Sequence, residues 1–137
     1  MDIPLEHEPS PEDIRVLEEQ IYAFNEAATG IRDGKLLAFF MRDGDGRVLG
    51  GLYGWTWGAT CYVRYLFVPP ELSNQGHGSG LMRRMEEEAK ARGCRQIALE
   101  THSFQAPEFY RRLGFEIVGR IDGYPSGHHS LTMLKRL

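Results

Sequence analysis

One stretch of the chain decides the fold, because it joins a strand that ends in two prolines to a helix. It reads Phe67-Val68-Pro69-Pro70-Glu71-Leu72-Ser73-Asn74-Gln75-Gly76-His77-Gly78-Ser79-Gly80-Leu81. Glycines at alternate positions leave the backbone open to close approach by a bulky group. From Leu81 an apolar stripe of Leu81, Met82, Met85 and Ala89 recurs at helical spacing, and it predicts a helix reaching about Arg92. The stretch therefore predicts a strand, a glycine-rich loop and a helix.

The charges at the start of this helix indicate a phosphate ligand. Arg83 and Arg84 occupy the first turns, where the positive end of the helix dipole favours acidic residues unless an anion is bound. Free backbone N–H groups at a helix start form a ready phosphate site. The P-loop pattern requires a lysine and a hydroxyl after its last glycine, whereas Leu81 follows Gly80. The dinucleotide-binding pattern fails as well, because Leu81 stands where its third glycine is required.

The order Q-x-x-G-x-G, formed by Gln75, Gly78 and Gly80, instead resembles the acyl-CoA pyrophosphate loop of the GCN5-related N-acetyltransferases (GNAT). A second segment, 103–115, is similar to a later motif of the same family, N-x-x-A-x-x-[FL]-Y-x-x-x-G-F. The spacing matches at Ala106, Phe109, Tyr110, Gly114 and Phe115. Ser103 stands where the family has asparagine, which weakens the expected side-chain contact to pantetheine.

The resemblance implies acetyl-CoA as the acyl donor and assigns residues to it. The backbone of the loop would hold the pyrophosphate, and backbone groups of the third strand would bond the pantetheine arm. The implied cofactor-binding residues are Leu66, Phe67, Val68, Gln75, Gly76, His77, Gly78, Ser79, Gly80, Ser103, Ala106 and Phe109.

The resemblance also implies the catalytic acid. Tyr110 matches the family tyrosine that protonates the departing thiolate, the alternative being a tyrosine that only packs over the sheet. Glu100 is the first candidate for the general base, because it alternates with apolar Leu99 at the end of a strand; pairing with a nearby Arg or Lys is the other interpretation. His102 is the second candidate.

Composition bounds the class of protein. With 137 residues and a formal net charge of −3, the chain fits one domain, residues 1–137, and does not favour general nucleic-acid binding. It has no apolar run long enough to span a bilayer, no signal-peptide pattern and only two cysteines, Cys61 and Cys94. We therefore expect a cytoplasmic protein without a membrane partner. His128 and His129 lack further ligands at metal-site spacing, so no metal is expected.

The pattern of elements predicts an α+β protein with a mixed, mostly antiparallel sheet of six to seven strands and helices on both faces. The expected strands are 3–7, 36–41, 48–57, 59–68, 95–101, 115–121 and 129–135, and the expected helices are 11–27, about 80–92 and 106–113. Ser10 is the predicted N-cap of the first helix, and the run 43–46 predicts a hairpin turn.

The acceptor is less defined than the donor. Tyr53, Trp55 and Trp57 alternate and so project from one face of a strand, where core packing is the commoner role and an acceptor pocket the alternative. Phe24 and Asn25 occupy the part of the first helix that borders the acceptor groove in the family. The resemblance implies an N-acetyltransferase, and we expect a small primary amine as its acceptor. A protein N-terminal or lysine acetyltransferase and a non-catalytic acyl-CoA-binding module remain alternatives, and an edge strand near the C-terminus could pair across a two-fold axis in a homodimer.

Overall fold

The computed structural model describes all 137 residues, and the chain divides into two compact units, Met1–Arg32 and Asp33–Leu137. The first unit contains one helix, α1 (Pro11–Thr29). Ser10 caps it as predicted: its hydroxyl accepts a hydrogen bond of 3.1 Å from the N–H of Asp13. At the other end Gly30 adopts a left-handed conformation with φ of 70°, which explains why the helix ends there.

The strand predicted over residues 3–7 is wrong, since this segment has no regular secondary structure. The physical reason lies in its prolines. Pro4 and Pro9 have no N–H to donate to a strand ladder, and a bend at His7 and Glu8 interrupts the few residues between them.

The second unit contains six strands and two α-helices. In chain order these are β1 (Lys35–Arg42), β2 (Val48–Trp57), β3 (Thr60–Phe67), α2 (His77–Ala91), β4 (Gln96–His102), α3 (Pro107–Arg112), β5 (Glu116–Asp122) and β6 (His129–Arg136). Each agrees with its predicted element to within a few residues. The predicted hairpin turn joins β1 to β2, where the Asp43 N–H donates to the Arg47 carbonyl at 3.0 Å. No helix of the molecule is both long and apolar enough to cross a membrane.

The six strands form one mixed sheet in the order β1-β2-β3-β4-β6-β5. Four of the five neighbouring pairs are antiparallel, and only β3 and β4 run parallel. A parallel pair needs a crossover connection, and α2 supplies it. The α+β class and the mixed, mostly antiparallel sheet are therefore confirmed, with six strands.

The core lies between one face of the sheet and the helices α2 and α3. The predicted stripe of α2 is buried, and α2 contacts β1, β2 and β3. From α3 and the residues after it, Tyr110 and Phe115 join the same cluster. The sheet contributes every second residue of its central strands, as the pleat requires. These residues are Leu52, Cys61, Val63, Ile97, Leu99 and Met133.

One arginine fixes the C-terminal end of α2 to the sheet. Arg92 forms an i,i+4 ion pair with Glu88, with 2.9 Å between Nε and Oε1. Its other guanidinium nitrogens donate to the carbonyl oxygens of Lys35 and Leu36 in β1 and to Oγ1 of Thr56 in β2. The arginine side chain is only 16% exposed, and its hydrogen bond to Thr56 is partly buried, whereas the two bonds to the β1 carbonyls lie at the surface.

We expect Arg92→Ala to lower the free energy of unfolding by about 1–3 kcal/mol, because it removes the charged donor of the partly buried Thr56 hydroxyl and two surface bonds to β1 carbonyls. Urea unfolding followed by circular dichroism measures the change. Arg95→Ala removes an exposed arginine nearby and is the matched control, for which we expect less than about 0.5 kcal/mol. Equal losses in both variants would contradict the role given to Arg92.

Candidate active site

The sheet opens between its two parallel strands. β3 pairs with β4 only from Thr60 opposite Gln96 to Val63 opposite Leu99. Beyond this point β3 remains paired with β2 as far as Phe67, and β4 remains paired with β6 as far as His102. Backbone groups of residues 64–67 and 100–102 that face the other strand therefore have no ladder partner. Unpaired backbone groups of this kind bond water or a ligand.

A bulge accompanies the opening. The register between β2 and β3 shifts after Tyr53, so that Arg64 is an extra residue on β3. A bulge bends its strand and increases the local twist, which carries the end of β3 away from its neighbour. Leu66 and Phe67, both predicted to bond a pantetheine arm, lie in this segment of β3, and Val68 follows directly.

The N-terminus of α2 follows the end of β3 and has no cap. Gly76 precedes it in the left-handed conformation, with φ of 82°, and the helix begins at His77. No side chain accepts a hydrogen bond from the first turn, and no acidic residue lies in it. The N–H groups of the first turn are therefore available to an anion. The predicted loop of residues 75–80 is thus mainly the first turn of α2, and only Gln75 and Gly76 precede the helix.

Gly78 lies against the ring of Phe109, whereas the sequence predicted that it makes room for the pyrophosphate. A β-carbon at Gly78 would lie 3.3 Å from Cζ of Phe109, so this glycine allows α2 and α3 to approach closely. By contrast, a β-carbon at Gly80 would meet only the far end of Arg83, at 4.0 Å. Phe109, a predicted cofactor residue, thus lies beside the start of α2.

Tyr110 lies in α3 with its ring in the core. The ring makes edge contacts with Phe109 and Phe115, at centroid distances of 5.1 and 5.8 Å. Its hydroxyl has no hydrogen-bond partner in the protein, yet no buried polar atom is left unpaired, so the oxygen reaches the molecular surface. Burial raises the pKa of Tyr110 to about 12, which keeps the phenol protonated well above neutral pH.

Glu100 is the first residue of β4 beyond its last pairing with β3. Its carboxylate is exposed and accepts a hydrogen bond of 2.8 Å from the Ser130 hydroxyl of β6, a residue only 1% exposed. Because alternate residues of a strand face opposite sides, Glu100 lies on the face opposite Leu99 and the core. Glu100 and Tyr110 therefore belong to opposite faces of the sheet.

No sequence pattern indicated a role for Ser130. Finding it requires the register of β4 against β6, in which His102 is opposite Ser130 and Glu100 is opposite Thr132. The serine reaches Glu100 along the same face, two positions down the ladder.

The remaining predicted residues lie at the end of β4 and in the loop after it. Ser103 accepts a hydrogen bond from the His129 N–H at 3.1 Å, and its hydroxyl is 2.9 Å from Nδ1 of His128. Its side chain therefore ties this loop to β6. Ala106 is the N-cap residue of α3. No group of three or more His, Cys, Asp or Glu side chains could hold a metal ion.

His102 shares the face of Glu100 but is held by neighbours. Its Nδ1 is 3.1 Å from Oε1 of Gln105, and its ring stacks on Phe104 at 5.3 Å and meets the edge of Tyr124 at 4.6 Å. With Nδ1 donating to Gln105, Nε2 is the nitrogen left to accept a proton, so His102 remains the second candidate for the base.

A groove of about 430 Å³ lies on the core side between α3 and the β5–β6 hairpin. Ser103 lines it, but Tyr110 and Glu100 do not. Its two arginines have carboxylate partners, Arg111 with Glu108 at 3.6 Å and Arg120 with Asp122 at 2.9 Å. Its charge is therefore balanced, and neither the candidate acid nor the candidate base lines it.

Comparison with known proteins agrees with this architecture. The model of the acetyltransferase (GNAT) family matches residues 3–115. An acetyltransferase of Agrobacterium fabrum is 34% identical over 122 residues, covering 89% of this chain and 88% of its own. The blasticidin-S acetyltransferase of Streptomyces morookaense is 38% identical over 96 residues, covering 67% of this chain and 68% of its own. A crystal structure of an acetyltransferase from Agrobacterium tumefaciens superimposes with a TM-score of 0.89 at 32% identity, over 100% of both chains.

The chain thus belongs to the GNAT acetyltransferase family, and the resemblance inferred from its motifs is confirmed. These matches identify it as an N-acetyltransferase, and they favour an enzyme over the alternative of a non-catalytic acyl-CoA-binding module.

Because the start of α2 is uncapped, one substitution there should change the stability of the free protein and its affinity for CoA in opposite directions. Ser79 is exposed in the first turn, so Ser79→Glu places a carboxylate where the helix dipole favours it. We expect the free protein to gain about 0.3–1 kcal/mol of stability. Since the same carboxylate repels a phosphate, we expect the Kd for CoA to rise roughly tenfold or more, with an effect that shrinks as salt increases.

Thermal unfolding and calorimetric titration with CoA measure the two quantities. Ser79→Gln is the matched control, because it has the same shape without the charge. If Ser79→Glu and Ser79→Gln bound CoA equally well, the first turn of α2 would not be the phosphate site.

Proposed function

We propose that this protein transfers the acetyl group of acetyl-CoA to the primary amine of a small acceptor. The observation that carries the proposal is the opening between β3 and β4, together with the uncapped start of α2, the helix that follows β3 along the chain. A carboxylate, Glu100, stands at the opening on one face of the sheet, and the hydroxyl-bearing Tyr110 belongs to the other face. Such a site offers room for an extended donor and a proton-transfer group on each side.

The donor would extend from α2 into the opening. The first-turn N–H groups of His77, Gly78 and Ser79, with Gln75, Gly76 and Gly80 around them, would bond the pyrophosphate. The open backbone of Leu66 and Phe67, with Val68, would bond the amide-rich pantetheine arm as an added strand does. Ser103, Ala106 and Phe109 would border that arm from the side of α3, with Ser103 contributing backbone more than side chain.

The chemistry then needs three proton transfers. Glu100 accepts a proton from the acceptor ammonium, directly or through a water, and the neutral amine nitrogen attacks the thioester carbonyl carbon. A C–N bond forms, and the nitrogen, now positively charged, loses a second proton to solvent water. The C–S bond breaks, and Tyr110 donates its phenolic proton to the departing sulfur. Of the two protons lost by the amine, one restores the Tyr110 phenol through solvent and the other is released. Ser130 orients Glu100 for this role.

A small acceptor is favoured over a protein N-terminus or lysine by one comparison, the 38% identical relative that acts on blasticidin S. We propose further that the whole chain acts as one acetyltransferase domain. Because both cysteines are free and buried, we also propose that it works in the reducing cytoplasm, without a metal.

The direct test is release of free thiol from acetyl-CoA across a panel of small amines and of peptides with a free N-terminus or lysine. We expect turnover with small amines that exceeds the rate with peptides. Turnover with peptides alone would replace the small acceptor by a protein, and the absence of amine-dependent thiol release would overturn the proposal.

Tyr110→Phe tests the acid. Because phenylalanine keeps the ring and its packing, we expect acetyl-CoA affinity to change little and kcat to fall by roughly one to three orders of magnitude. With a pKa raised to about 12, Tyr110 remains a competent acid as pH rises through 10. The wild-type kcat should therefore show no alkaline decline caused by this group until about pH 11 or above. If Tyr110→Phe had the kcat of the wild-type protein, Tyr110 would not be the general acid.

A further inference from the structure

We propose that the aromatic face formed by Tyr53, Trp55, Tyr62 and Tyr65 is the acceptor-binding subsite, and that it takes an amine carried on a flat aromatic or heteroaromatic ring. This inference rests on the proposed function and names the class of acceptor. We call these four residues the aromatic face.

The four residues face away from the core. On β2 their neighbours Leu52 and Thr56 are buried in the core, whereas Tyr53 and Trp55 remain partly exposed on the other side. The sequence expectation that this stripe packs in the core is therefore wrong, because alternate residues of the same strand already fill it. On β3, Cys61 and Val63 are buried in the same way.

The rings form a continuous surface across two strands. Trp55 and Tyr62 have centroids 5.0 Å apart, Tyr53 and Trp55 are 6.2 Å apart, and Tyr53 and Tyr65 stack at 6.3 Å. The guanidinium of Arg64 lies over Tyr65 at 5.0 Å and helps to hold that ring. Rings held against one another lose little freedom when a further flat ring joins them.

The register of the sheet places this surface beside Glu100. Tyr62 is opposite Ala98, and Glu100 lies on the same face two residues farther along β4. With standard strand spacing and rise, the Cα atoms of Tyr62 and Glu100 are separated by about 8 Å. An amine bound to Glu100 at the opening would therefore have its remaining part over Tyr62 and Trp55.

The charge and shape of this surface select the acceptor. The ammonium group is complementary to the Glu100 carboxylate and to the negative faces of the rings. The rest of the molecule meets aromatic side chains, which prefer stacked or edge contacts with another aromatic ring. An aliphatic ring of equal size fills the same space but cannot make those contacts.

Benzylamine and cyclohexylmethylamine form a matched pair of probes, since both carry a primary amine on a methylene attached to a six-membered ring. The readout is the ratio of their kcat/KM values. We expect wild-type protein to favour benzylamine by roughly tenfold, and Trp55→Leu and Tyr62→Leu each to bring the ratio toward one, with CoA affinity unchanged.

Trp57→Leu is the control variant. Trp57 shares the strand and the face of Trp55, but it pairs with Thr60 at the end of β2 that lies away from the opening. We expect it to keep the wild-type ratio. Two variants of the aromatic face are used so that a folding failure in one leaves the test intact.

Fluorescence gives a second readout that does not depend on turnover. The chain has two tryptophans, so Trp57→Phe leaves Trp55 as the single reporter. Benzylamine should change its emission in the presence of CoA more strongly than cyclohexylmethylamine does. If both amines are acetylated but the ratio is the same in wild-type protein and the two variants, the aromatic face is not the subsite. If no amine is acetylated, the proposed function fails instead.

Discussion

The proposed donor site depends on the point at which the hydrogen-bonded pairing between β3 and β4 ends. Each strand keeps its other neighbour, β2 and β6 respectively, so the sheet stays intact on both sides while its centre opens after Val63 and Leu99. A sheet interior is normally the part of a fold with the fewest open hydrogen-bonding groups. In this protein the centre of the sheet presents a row of unpaired backbone N–H and C=O groups. The proposed binding of the pantetheine arm follows from these groups.

The helix α2 is held to the sheet by contacts that do not involve the N–H groups of its first turn. The buried stripe of α2 holds it on the sheet, Arg92 fastens its C-terminal end to β1 and β2, and Gly78 allows Phe109 of α3 to pack against its first turn. The first turn can therefore leave its N–H groups uncapped without loosening the helix. A helix with an uncapped start follows a strand whose end is open on one side, and an extended ligand with a charged end suits both features.

Local patterns predicted most of this from the sequence. Apolar spacing predicted the elements and the stripe of α2, Ser10 predicted the start of α1, and two spaced motifs indicated the family. Contacts between distant segments were beyond such patterns. The Glu100–Ser130 hydrogen bond depends on a strand register, and the contact of Gly78 with Phe109 depends on a helix packing distance. The false strand at residues 3–7 shows the converse error, since Pro4 lies inside the segment and has no N–H to donate to a strand ladder.

Hydrogen exchange at the backbone of β3 tests the central claim most directly. If the pantetheine arm adds as a strand, CoA should slow exchange at the amides of Arg64–Phe67 that face β4, while the amides already bonded to β2 change little. 3′-Phosphoadenosine 5′-diphosphate, which lacks the arm, should protect the first turn of α2 but not these β3 amides. Equal protection of β3 by both ligands, or none with CoA, would contradict the account.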